Sequence, residues 1–297
     1  MTVLYNFLSV HRPEPQTIAA ALAGAIGLPV ADTDVADEDD EQTYDRNWDA
    51  PVLCTYRGVG GDVALSWDVS VSDAVTSPPD ESEAALRLAL RLGTTVLYPA
   101  QEQAPSAYWA AGPDGTVTRA RVLETDGEGD GEPPALVVDA VEASMAQLPT
   151  ARVDVLTEIL RGEKLCTPVA DGFADTTDPG RTAPAESPVN RAREALLLWE
   201  RLVRRIAADW GPTGRYPFDL YAEDLGTRDR LEELIEAASG EERELLARAV
   251  AALDDVFRGH TEGDGGALLG RLTRSGTAVA ERGWWWCRRP ARLPWDG

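Results

Sequence analysis

The sequence predicts an α+β fold in which a mostly antiparallel N-terminal sheet carries helices on one face and a mainly helical C-terminal domain follows. Three observations support this prediction. Short segments of alternating apolar and polar residues, typical of strands, are interleaved with two helical patterns in the first half. Two glycine-rich turns, Gly58–Asp62 and Gly112-Pro-Asp-Gly115, indicate hairpins. Apolar residues recur every three or four positions in the second half.

The N-terminal half gives the order strand, helix, two strands, helix, two strands. The predicted strands are Thr2–Val10, Val52–Tyr56, Val63–Val71, Tyr108–Ala111 and Thr116–Glu124. The first helix is predicted over Gln16–Ile26 with Gly27 as its C-cap, and the second begins after Ser77-Pro-Pro-Asp80. Asp32–Asp49 is predicted to be a solvated loop. Leu136–Gln147 and Val153–Leu160 are predicted to be helices that close this half.

The C-terminal half is predicted to be helical. The predicted helices are one from Pro188 to Trp210, one over 228–238, one following the capping box Ser239–Glu242, and a short one near 267–272. Thr167–Pro188 is rich in Pro, Asp, Thr and Ala without apolar periodicity, which is typical of a linker. The predicted domains are therefore an acidic α+β domain over 1–165, a linker over 166–187 and a helical domain over 188–297 with a Trp-rich C-terminal segment.

The charge of the chain is strongly negative and uneven. The 297 residues contain 28 basic and 51 acidic side chains, a formal net charge of −23, and residues 1–150 alone account for −18. Such a field repels nucleic-acid phosphate and anionic membrane and attracts basic proteins, so we expect a protein partner and neither nucleic acid nor membrane. Solubility, a salt-tolerant source or a GC-rich genome would explain the same composition without a partner.

The residues that commonly perform catalysis are scarce. The chain has three cysteines without CxxC spacing, two histidines and one lysine, Lys164. GxSxG, HExxH and Gly-rich phosphate-loop motifs are absent, so we predict no catalytic residue, no metal site and no cofactor. A carboxylate-based activity stays open as an alternative, because the acidic residues offer many candidate pairs. The N-terminus lacks a leader pattern and no apolar stretch spans a bilayer, so the expected location is the cytoplasm.

Two segments are candidates for partner binding. The first is an unbroken acidic run that would dock against a basic surface or would simply be solvated: Asp37, Glu38, Asp39, Asp40 and Glu41. The second combines aromatic and basic residues: Trp284, Trp285, Trp286, Arg288 and Arg289. In an extended chain Trp284 and Trp286 would face one way and Trp285 the other. The segment would either fold back over the helices, with arginines stacked on indoles, or form an exposed binding patch.

The first 125 residues contain an Ala-Leu-Ala…Ile-Gly-Leu-Pro helix end within 18–29, the Val63–Val71 strand, and Leu86–Pro99 before a Trp-containing hairpin. In these features the segment resembles immunity proteins of bacterial polymorphic toxin systems. The resemblance implies a non-enzymatic protein that neutralises a cognate toxin through an acidic surface. The alternatives are an enzyme of unrecognised type that uses acidic residues and a structural or accessory module of a defence or secretion assembly.

Overall fold

The computed structural model describes residues 2–39, 46–100, 104–125, 135–163, 165–272 and 282–295. The chain divides into two compact units, Met1–Glu163 and Lys164–Gly297, here called unit 1 and unit 2. A large mixed sheet with helices forms unit 1, and helices dominate unit 2. The predicted α+β fold class is therefore confirmed.

The elements of unit 1 are β1 (Val3–Ser9), α1 (Pro15–Ile26), β2 (Thr33–Asp37), β3 (Val52–Gly58), β4 (Gly60–Gly61), β5 (Leu65–Val71), α2 (Glu81–Leu92), β6 (Val96–Pro99), β7 (Ala107–Ala111), β8 (Val117–Thr125), β9 (Ala135–Val141), β10 (Arg152–Val153) and α3 (Thr157–Gly162). α1 ends at its predicted cap, where Gly27 takes the left-handed conformation (φ 88°), and Gly93 (φ 64°) takes the same conformation after α2. Asp80 caps α2 by accepting the Glu83 N–H at 2.8 Å.

The strands of unit 1 follow the order β10-β9-β8-β7-β6-β1-β5-β3-β2. Neighbours are antiparallel except for β2 with β3 and β10 with β9, which are parallel. β1 pairs with β5 along its whole length but with β6 only at Leu8 and Ser9. β4, in the β3–β5 connection, pairs with β9 near the other end of the sheet. The sheet therefore curls, and it encloses a second, smaller apolar cluster that includes Leu97, Val122 and Val138.

The main core of unit 1 lies between one face of the sheet and the two longer helices. Residues of β5 alternate in burial, with Leu65, Trp67, Val69 and Val71 buried against α1 and α2. The alternation follows from the two-residue period of a strand and leaves Ser66, Asp68 and Ser70 on the other side. Helices thus cover one face of this part of the sheet, as predicted.

Three local predictions for unit 1 are wrong in whole or in part. Residues 135–141 form a strand, β9, and not a helix, because Val137 and Val138 are β-branched and pair with β8. The predicted loop over 32–49 contains β2, which pairs with β3. The predicted helix over 153–160 is replaced by the edge strand β10 and the short helix α3.

The elements of unit 2 are α4 (Pro168–Thr177), α5 (Pro188–Ala207), α6 (Phe218–Ala237), α7 (Gly240–Gly259), β11 (Thr261–Gly263), α8 (Ala267–Leu272), a 3-10 helix (Trp284–Cys287) and β12 (Arg288–Pro290). The core forms where α5 meets α4, α6 and α7, and the Trp199 and Phe257 rings lie 5.0 Å apart there. α6 begins ten residues before the predicted helix start at 228, because Tyr221 and Leu225 are also buried on its inner face.

The predicted linker is partly wrong. Residues 168–177 form α4, whose Ala170, Phe173 and Ala174 are buried. The Glu200 carboxylate of α5 accepts the backbone N–H groups of Val169 and Ala170 at 3.2 and 2.8 Å. An acidic side chain at a helix N-terminus satisfies donors that have no partner within the helix. This segment therefore belongs to the packed structure of unit 2.

Candidate functional site

The outward face of β1, β5 and β3 is the strongest candidate for a binding surface. Strand register places Asn6, Asp68 and Thr55 in one row across the three strands, and Leu4, Ser70 and Leu53 in the next row. We call this surface the open face, because no helix in the described part of unit 1 packs over these two rows. Leu4 is 68% exposed there, a higher exposure than that of the other large apolar side chains in the described residues.

One edge of the open face is built by a segment that returns over β2 and β3. The Arg46 guanidinium donates to Asp34 Oδ1 at 2.9 Å, to Thr55 Oγ1 at 2.9 Å and to the Cys54 carbonyl at 3.2 Å. The Asn47 N–H donates to Asp34 Oδ2 at 2.9 Å. The Arg46 side chain is only 5% exposed, so its charge is held by Asp34 in a fixed position.

Trp48 follows directly and forms the wall of a groove. Its ring centroid lies 4.7 Å from Arg46 Cζ, a cation–π contact, yet the residue is 62% exposed. The groove between this wall and the strands has a volume of about 330 Å³. It is lined by Leu4, Tyr5, Asn6, Arg46, Trp48, Leu53, Thr55, Asp68, Val69 and Ser70.

The groove is lined by one negative charge that no described basic side chain neutralises. Arg46 and Asp34 neutralise each other, whereas the Asp68 carboxylate makes no ion pair or hydrogen bond with any side chain that the structure describes. Asp68 is exposed in the centre of its row, between Asn6 and Thr55. On the opposite, core-facing side of the sheet, burial raises the pKa of the Cys54 thiol to about 12, which favours its protonated form. The groove therefore offers one uncompensated carboxylate beside apolar and aromatic surface.

The acidic run continues from β2, whose Asp34 supports the groove wall. Asp37 ends β2 and lies 3.6 Å from Arg12 through Oδ2, and Glu38 lies 3.9 Å from Arg57. Glu38 and Asp39 are exposed, whereas Asp40 and Glu41 lie outside the described residues. The described part of the run thus extends along the β2 edge of the sheet.

The Trp-rich segment folds back into unit 2 and is not extended. Trp284–Cys287 forms a 3-10 turn that buries Trp285 and Trp286, and both indole N–H groups donate to Asp229 Oδ1, at 2.9 and 2.8 Å. An arginine does stack on an indole of the segment, but it comes from α7: Arg258 Cζ lies 3.8 Å from the Trp284 ring centroid. Because Trp285 and Trp286 are buried, the interpretation that they form an exposed patch is wrong for these two residues.

The two arginines of that segment are engaged in a short hairpin of β11 and β12. Arg288 Nε donates to Thr261 Oγ1 at 2.7 Å, and Arg289 Nη2 donates to Glu262 at 2.8 Å. The Arg289 side chain is 44% exposed and Trp284 is half-buried, so both residues remain accessible to solvent. The acidic run and the Trp-rich segment belong to different units.

Sequence reasoning missed the groove residues Leu4, Arg46, Trp48 and Asp68. One signal was present, because alternation in β5 places Asp68 on the face opposite its apolar residues. The sequence does not show that these residues lie close together, since their proximity depends on the register of three strands that are distant in sequence.

Two features are absent from the described ranges. They contain no group of three or more His, Cys, Asp or Glu side chains that could hold a metal ion. Within the same ranges, every helix is too short or too polar to cross a membrane.

Comparisons with protein-family models, with curated proteins and with solved structures found no match to the chain.

Proposed function

We propose that the chain is a non-enzymatic binding protein that captures a basic protein through the open face of unit 1, and that this partner is a bacterial toxin that it neutralises. The observation that carries the binding proposal is the groove with its uncompensated Asp68 and its exposed Leu4 and Trp48. Tryptophan is among the residues that supply most of the binding energy in protein interfaces, and the apolar surface of Leu4 lies in the same groove.

Charge favours a basic protein over other partners. The exposed Glu38 and Asp39 extend the negative surface beyond the groove, and residues 1–150 carry a net charge of −18. A negative surface accelerates association with a positive one and repels phosphate backbones. The groove walls also leave Leu4 and Trp48 largely exposed, whereas a small-molecule site usually encloses most of its ligand.

The toxin role rests on the resemblance of the first 125 residues to immunity proteins together with this surface. A cytoplasmic location belongs to the same proposal, because Cys54, Cys166 and Cys287 are all free thiols, the state that a reducing compartment maintains.

The test begins with the protein that co-purifies stoichiometrically with the chain from its native host. Expressed alone, this partner should stop growth, and co-expression of the chain should restore it. A partner without toxicity would contradict the immunity role, while the binding role would then depend on the kinetic step below.

The kinetic step compares the wild-type chain with the double variant Glu38→Gln/Asp39→Asn. We expect the association rate constant for the partner to fall by roughly threefold to tenfold at low salt and the difference to vanish at high salt, because salt screens exposed charges. Glu233→Gln/Glu236→Gln removes the same charge from the exposed surface of α6 in unit 2 and is the matched control. Equal effects of the two double variants would contradict docking through the acidic edge of unit 1.

A further inference from the structure

The groove of the open face contains two groups that commonly bind a cation together. Trp48 supplies an indole of which one face is occupied by Arg46, and the residue remains 62% exposed. Asp68 supplies a carboxylate that lines the same groove and has no partner among the described residues. An indole attracts a cation to its ring face, and a carboxylate pairs with it through charge-assisted hydrogen bonds.

The structure already shows the same recognition pattern at the groove wall itself. The Arg46 guanidinium stacks on Trp48 while it pairs with Asp34. Arg46 is therefore already engaged within the chain. Asp34 neutralises its charge, and its other N–H groups donate to Thr55 and to the Cys54 carbonyl. A second cation in the groove would meet Trp48 and Asp68, which both line it, and the one positive charge of the lining, Arg46, is neutralised by Asp34.

We infer that the groove accepts one arginine side chain of the bound protein, with its guanidinium against the Trp48 indole and the Asp68 carboxylate. The inference rests on the proposed binding function of the open face. Arginine fits better than lysine, because a planar guanidinium stacks on an aromatic ring and donates two parallel hydrogen bonds to one carboxylate. Leu4 and Leu53 would contact its aliphatic carbons, and Asn6 and Thr55 lie beside Asp68 as further polar groups.

Fluorine NMR of the full chain labelled with fluorotryptophan tests this inference without the partner. The sequence contains nine tryptophans, and the Trp48 resonance is assigned by its loss in Trp48→Phe. The probes are N-acetylarginine amide and its neutral analogue N-acetylcitrulline amide, added at constant ionic strength up to tens of millimolar.

We expect the arginine probe to shift the Trp48 resonance saturably with a dissociation constant of roughly 1–10 mM, a typical strength for one contact pair. The citrulline probe should bind at least about fivefold more weakly, because it lacks the charge. Asp68→Asn should weaken the arginine probe by at least about fivefold. Asp49→Asn, which removes a charge next to Trp48 but outside the groove lining, should change it by less than about twofold.

Equal binding of the two probes, or no saturable shift of the Trp48 resonance, would overturn the inference. Partner that is added to the probe-bound chain should displace the arginine probe, and failure to displace it would also overturn the inference. The proposed function is tested separately by partner affinity. A chain that binds its partner through the open face but ignores the arginine probe would disprove only the arginine site.

Discussion

Replacing Arg119 by methionine is expected to lower the free energy of unfolding of unit 1 by about 3–5 kcal/mol. Arg119 is 2% exposed and donates to Glu142, itself fully buried, at 3.0 Å. It also donates to both carboxylate oxygens of Glu163, at 2.9 and 3.0 Å, and stacks on Trp109. Without the guanidinium, two carboxylates would share a buried region without a cation, and a buried charge without a partner is strongly destabilising.

Arg121→Met is the matched control for this prediction. Arg121 lies two residues further along β8 on the same side of the strand and also pairs with two acids, Asp139 and Glu158. Its side chain is 24% exposed, so water can solvate the acids when it is removed. We expect a loss of about 1 kcal/mol. Hydrogen exchange of β8 and β9 peptides in the full chain measures both variants, and equal losses would contradict the structural role of Arg119.

Asp254→Ala is expected to lower the free energy of unfolding of unit 2 by about 3–5 kcal/mol. Asp254 accepts hydrogen bonds from Arg228 Nε, at 3.0 and 3.3 Å, and from Nη2, at 2.9 Å, and both residues are buried. Arg228 also lies 4.2 Å from the ring centroid of Trp285. Loss of the carboxylate would leave the guanidinium in the core with only the half-exposed Glu232 as its acidic partner.

Two variants separate the ion pair from general damage to α7. Asp255→Ala removes the neighbouring acid, whose side chain is 79% exposed, and should cost less than about 0.5 kcal/mol. Asp254→Leu combined with Arg228→Met should recover much of the lost stability, because an apolar pair replaces both charges. Exchange of α6 and α7 peptides reports on both. A double variant that is as unstable as Asp254→Ala would show that the charges themselves are not the cause.

Local periodicity predicted much of the fold. The alternation of Leu65, Trp67, Val69 and Val71 is readable from neighbouring residues, and so are the three-to-four spacing of α5 and the cap of α1 at Gly27. The predictions failed where contacts between segments distant in sequence determine the structure. β2 is a strand because β3 lies beside it, and α4 packs on α5 although Thr167–Pro188 shows no regular apolar pattern.

The candidate site was less predictable than the fold. Leu4, Leu53 and Asp68 come together only through the register of β1, β3 and β5, and no local pattern encodes that register. The structural importance of Arg119 and Asp254 could not be predicted either. Their ion pairs differ from those of the many other charged residues only in being buried, and burial depends on the same long-range register and packing. Composition predicted an acidic partner-binding half but did not select the open face.

The most direct test of the central claim compares two identical substitutions at exposed leucines of unit 1. Leu4 is 68% exposed on the open face, and Leu90 is 53% exposed on α2. Leu4→Arg places bulk and positive charge at the groove, so the affinity for the co-purified partner should fall by at least about thirtyfold, the loss expected at an interface hot spot. Leu90→Arg should change that affinity by less than about twofold. Unchanged affinity of Leu4→Arg, or equal losses in both variants, would contradict binding through the open face.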